Sequence, residues 1–155
     1  MNTMRGLIAL ITAALLSLGG QALAADKQKV VYHINGGDAQ QQAAALGNVR
    51  NHINAMGADN LDIKVVTHGD GLSLLLLPEH QGKTKMKTAN ADQNMQARID
   101  GLKMDGVQFQ VCANTLKGRN IPKEALYDFN EEDVVPSGVA QLSILQVQGY
   151  TYIKP

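Results

Sequence analysis

Residues 29 to 69 spell out a complete strand–helix–strand unit, and that unit restricts the fold more than any other stretch of this 155-residue chain. "KVVYHIN", Lys29 to Asn35, is rich in β-branched and aromatic residues and runs into the turn signal "GGD". Asp38 is placed to cap a helix. Along that helix Ala43, Leu46, Val49, Ile53 and Met56 recur at spacings of three and four, which predicts one buried stripe. Gly57 is placed to end it, and "LDIKVVTHG", Leu61 to Gly69, reads as a second strand.

The alternation continues to the end of the chain. "GLSLLLLPE", Gly71 to Glu79, predicts a short buried helix stopped by Pro78, with a strand as the other reading, because periodicity alone does not separate the two. Residues 80 to 91 predict an exposed loop with Lys83, Lys85 and Lys87 on alternate positions: a solvated segment, or a docking point for an anionic partner. A helix over 92–104 places Met95, Ile99 and Leu102 on one face. In "GVQFQVC", residues 106 to 112, Val107, Phe109 and Val111 alternate with Gln108 and Gln110 as in a strand. A helical stretch broken at Pro122 follows, then a short strand and turn in "DVVPSG". A helix over 138–149 with Val139, Leu142 and Leu145 inward leads to the closing strand "YTYIKP". The order β-α-β-α-α-β-α-β-α-β predicts a single α/β domain over residues 25–155. Its sheet is mostly parallel, of about five strands, with helices on both faces.

Residues 1–24 are set apart from that domain. Arg5 gives a cationic start, Gly6 to Leu18 are mainly apolar, and the small-residue site "ALA" ends at Ala24, the pattern of a cleaved secretory signal peptide. The apolar run is shorter than the roughly 20 residues needed to span a bilayer. The expected location is therefore the periplasm, with no membrane attachment after cleavage. Formal charge is zero, there is no tryptophan, and no long basic run is present, so no electrostatic footprint for nucleic acid exists.

Cys112 is the single cysteine and excludes an intramolecular disulfide. It is either a reactive thiol or a small apolar residue ending a strand. In open α/β sheets ligands bind beyond the carboxyl ends of the strands. That rule gathers Asn35 and Gly36 after the first strand and His68 and Gly69 after the second. Cys112, Asn114 and Thr115 follow the third, and Ser137 and Gly138 the fourth. A helix beginning at "NTLKG" would lower the Cys112 pKa through its unpaired N–H groups, and His68 is a candidate base or charge partner. His33, His68 and Cys112 together have ligand types suited to copper or zinc, without any local ligand spacing. No G-x-S-x-G elbow or phosphate-binding glycine motif occurs.

"VVYHING", "NVRNHINAMG", "IKVVTHGDGLSLLL", "GVQFQVCANTLKG" and "GYTYIKP", taken in this order, resemble the DsrE/DsrF-like family, in particular short exported members. The resemblance implies a three-layer α/β/α sandwich and homo- or hetero-oligomers. It also implies a cysteine, here Cys112, that carries sulfane sulfur as a persulfide and passes it to a partner protein, with no metal and no organic cofactor. The expectation is thus a periplasmic sulfur carrier. Cys112 is its acceptor, Asn114 and Thr115 shape the turn, His68 modulates the charge, and Asn35, Gly36 and Gly69 complete the binding edge. A small-ligand or metal-binding module, or a structural oligomer subunit with Cys112 in its core, are the other readings.

Overall fold

The computed structural model describes residues 26–155; the expected signal segment 1–24 lies outside the described residues. Five strands, β1 (Gln28–Ile34), β2 (Leu61–Thr67), β3 (Gln108–Cys112), β4 (Val134–Val135) and β5 (Thr151–Ile153), form one sheet in the order β4-β3-β2-β1-β5. Every pairing is parallel. The helices are α1 (Ala39–Met56), α2 (Gln93–Met104), α3 (Ala113–Arg119) and α4 (Gly138–Val147). The three-layer α/β/α sandwich is as expected.

The layers follow from the handedness of crossovers. From β1 to β4 the chain steps in one direction across the sheet, and right-handed crossovers put α1, α2 and α3 on one face. From β4 to β5 it returns past all the other strands, which puts α4 alone on the opposite face. Side-chain alternation in β1 shows both faces. Val30, Tyr32 and Ile34 enter the large core with Leu46, Val49, Ile99 and Phe109. Val31 enters a smaller one with Val66, Leu142, Leu145 and Tyr150.

Asp38 caps α1 by accepting the Gln41 N–H at 2.8 Å, and Gly57, at φ +83°, takes the conformation that ends the helix. Two positions expected inside are outside. Met56 is 45% exposed because it lies in the last turn of α1, and Val139 is 64% exposed. In α4 the inward row is Gly138, Leu142 and Leu145, spaced four and three, which leaves Val139 about 100° round the helix toward solvent. The apolar run after β2 is buried but forms a 3-10 turn, Gly69–Leu74, followed by an isolated bridge between Leu76 and Leu126. In the expected loop over 80–91 only Gln81, Gly82, Lys83, Lys85 and Lys87 are exposed; Met86 and Ala91 are buried and the rest are half-buried, so the segment packs against the domain more than its polar sequence predicts.

Candidate functional site

The carboxyl edge of the sheet brings the expected residues into two adjoining groups. The first surrounds Cys112, the last residue of β3 and the N-cap of α3. The Thr115 hydroxyl and the N–H groups of Gly138, Thr115 and Asn114 lie on the side of its sulfur and favour the thiolate. The starts of α3 and α4 therefore converge on one atom. The Thr115 hydroxyl also accepts the Gly69 N–H at 3.0 Å, which ties the turn after β2 to the thiol. Burial pushes the Cys112 thiol up, and the four donors outweigh it, leaving the pKa below the ordinary cysteine value. Cys112 itself is 5% exposed.

His68 joins this group through Gly138. A Cβ at Gly138 would stand 2.8 Å from the Cβ of His68, so the imidazole packs under the backbone whose N–H faces the sulfur. The His68 ring does not turn toward the thiol. Its Nε2 lies 2.7 Å from Nε2 of His33, and Nδ1 of His33 lies 2.6 Å from the Tyr152 hydroxyl. The two imidazoles are inclined by 20°, with centroids 4.7 Å apart and the two nitrogens between them, so they meet edge to edge. Burial, the neighbouring His68 and the Lys154 ammonium lower His33 to about 4. Burial and Lys154 lower His68 as well. These shifts favour the neutral rings, and the nitrogen-to-nitrogen contact then needs one ring to donate and the other to accept.

The second group lies across His33. Asn35 and Gly36 do not reach Cys112; with His33, Gln41 and Lys154 they line a crevice of about 220 Å³ beyond the ends of β1 and β5. Sequence reasoning placed His33 only as a possible metal ligand and did not single out Tyr152 or Lys154. The alternation along β1 put His33 on the face opposite Tyr32, but its partners depend on β5 lying next to β1. Among the described residues no group of three His, Cys, Asp or Glu side chains could hold a metal ion. The polar face of β3 is also accounted for: Gln110 accepts from Gln141 of α4 at 3.0 Å, and Gln108 accepts from Lys64. Asn48 and Asn51 of α1 are both exposed.

Comparison with known proteins agrees with this architecture. Solved structures similar to the chain include MTH1491 from Methanobacterium thermoautotrophicum, a protein of unknown function. It is 26% identical with a TM-score of 0.66, over 83% of this chain and 100% of that one. The ychN protein from E. coli is 18% identical with a TM-score of 0.60, over 83% and 99% of the two chains, and supports the fold. A search of curated proteins gave no match. The model of the DsrE/DsrF-like family matches residues 28–155, from the start of β1 to Pro155. The chain belongs to the DsrE/DsrF-like family.

Proposed function

We propose that this protein is an exported sulfur carrier that accepts sulfane sulfur on Cys112 and delivers it to a partner thiol. The observation that carries this reading is the set of four donors aimed at the Cys112 sulfur, which favours the thiolate in spite of burial. In the loading step the thiolate attacks the outer sulfur of a polysulfide. A Cys112 S–S bond forms, the donor's S–S bond breaks, and the shortened polysulfide leaves as an anion. Thiosulfate reacts in the same sense with sulfite as the leaving group. In delivery a partner thiolate attacks the outer sulfur and Cys112 departs as a thiolate, which the same four donors stabilise. Asn114 and Thr115 hold the sulfur through their N–H groups, Gly69 fixes the Thr115 hydroxyl, and His68 supports Gly138. His68 in this reading is a positioning residue.

Residues 1–24 as a secretory signal, and the periplasm as the site of action, belong to the same proposal. So does assembly as a homo-oligomer, supported by the exposed apolar side chains Val139, Ile144 and Val147 on α4. A second reading, a ligand-binding or structural module with Cys112 as core filling, is supported by the 5% exposure of that residue. Alkylation separates the two. A carrier thiol reacts with iodoacetamide in the native protein at a rate comparable to an unfolded reference. A core thiol reacts only at the rate of unfolding.

A further inference from the structure

Side chains from three neighbouring strands stand in single file at the carboxyl edge of the sheet. Nδ1 of His33 in β1 lies 2.6 Å from the hydroxyl of Tyr152 in β5, and its Nε2 lies 2.7 Å from Nε2 of His68, just beyond β2. The file follows the sheet order β2-β1-β5. Tyr152 pairs with Val31, and His33, two residues further along β1, points to the same face.

In a file of neutral imidazoles each proton position sets the next. A neutral ring has one N–H and one bare nitrogen, so the role of Nδ1 decides that of Nε2. Two arrangements satisfy the contacts. In one, the Tyr152 hydroxyl donates to Nδ1 of His33, Nε2 of His33 donates to Nε2 of His68, and the His68 proton sits on Nδ1. In the other, the hydroxyl accepts and every role reverses. Elementary acidity separates them. A phenol O–H is a far stronger acid than a neutral imidazole N–H, and an imidazole nitrogen is a far stronger base than a phenol oxygen. The 2.6 Å separation also lies within the span of O–H donors, about 2.5–3.0 Å, and below that of N–H donors, about 2.7–3.2 Å. Lys154 and Pro155 line the crevice beside His33, and neither bonds a ring nitrogen.

We infer that Tyr152 is a positioning residue: its hydroxyl fixes His33 as the Nε2–H tautomer and His68 as the Nδ1–H tautomer, and through His68 it holds Gly138 against Cys112. The last link rests on the carrier reading of the thiol site. The Cβ, Cγ and Cδ2 atoms of His68 are those nearest to Gly138, so a ring tethered to His33 stays beneath the start of α4. Nδ1 lies on the other edge of that ring, where it makes no internal hydrogen bond among the described residues.

Long-range proton–nitrogen NMR of the imidazoles, on the reduced mature protein near neutral pH, reads the tautomers. A bare Nδ1 and a protonated Nε2 are expected for His33, and the reverse for His68. Tyr152→Phe, at a position 39% exposed, should keep the fold and release both rings into mixed tautomers. In the same variant the Cys112 Cβ signal should titrate at higher pH, with about a twofold loss of thiolate below the midpoint. Tyr32→Phe removes the same kind of contact, to His52 on the opposite face of β1, and should change neither reading. The Cβ titration involves no sulfur transfer, so a protein that never accepts sulfur still reports it. His33 protonated at Nδ1, or a Cys112 midpoint unmoved in Tyr152→Phe, would overturn the assignment.

Discussion

Gly138 lies so close to His68 that a single added carbon would stand 2.8 Å from the His68 Cβ, while its N–H faces the Cys112 sulfur. This one glycine joins the imidazole pair to the thiol. Gly138→Ala must displace either α4 or the His68 ring, at about 1–3 kcal/mol for an overpacked site. The expected result is lower stability in urea together with a higher pH midpoint for Cys112 alkylation. A variant with wild-type values for both would break the link drawn between these residues.

Thr115 offers a narrower perturbation of the same thiol. Thr115→Val removes the hydroxyl that contacts Cys112 and leaves the Gly69 N–H without its acceptor. A loss of about 1–3 kcal/mol is expected from the orphaned donor. The alkylation midpoint should rise toward the ordinary 9.0 of a cysteine. Thr115→Ser should restore both, because the hydroxyl and not the methyl group carries the effect.

Acid should weaken the fold through the His33–His68 pair. His33 titrates near 4 in the folded chain and near 6.5 when unfolded, so between those values the unfolded state binds more protons. Stability is therefore greatest above about pH 6.5 and declines as pH falls toward 4, by up to roughly 3 kcal/mol for a shift of this size. Urea denaturation of wild type and His33→Gln across this range checks it. The variant should show the shallower decline, and equal slopes would remove His33 as the cause.

Gly71 carries the tightest backbone constraint at this edge. A Cβ there would lie 2.1 Å from the carbonyl oxygen of Ile34, backbone against backbone, which no side-chain motion relieves. Gly71→Ala should cost roughly 4 kcal/mol or more, or prevent folding, because the turn after β2 could no longer pack on the end of β1. A denaturation midpoint near that of wild type would show the turn to be adaptable.

Local patterns made much of this molecule legible in the sequence. The β-branched run at 29–35, the Asp38 cap and the Phe109–Val111 alternation gave the strands and helices. The rule of strand carboxyl ends then gathered Cys112, Asn114, Thr115, Gly69 and His68 in one place. What stayed hidden depends on which elements become neighbours. Placing β5 beside β1 brings Tyr152 to His33, and the register of β1 with β2 sets the strand ends at Ile34 and Thr67 side by side, so that His33 meets His68. No periodicity encodes that. Val139 was misplaced for a related reason. The inward position of the first turn of α4 is a glycine, since His68 occupies the space below it, and an apolarity pattern passes over a glycine.

The sulfur-carrier account is tested most directly by intact-mass spectrometry of the reduced mature protein after brief exposure to polysulfide. It predicts a mass gain of one sulfur atom, absent in Cys112→Ser and lost again when a small thiol is added. An unchanged mass in the wild type, or the same gain in Cys112→Ser, would contradict it.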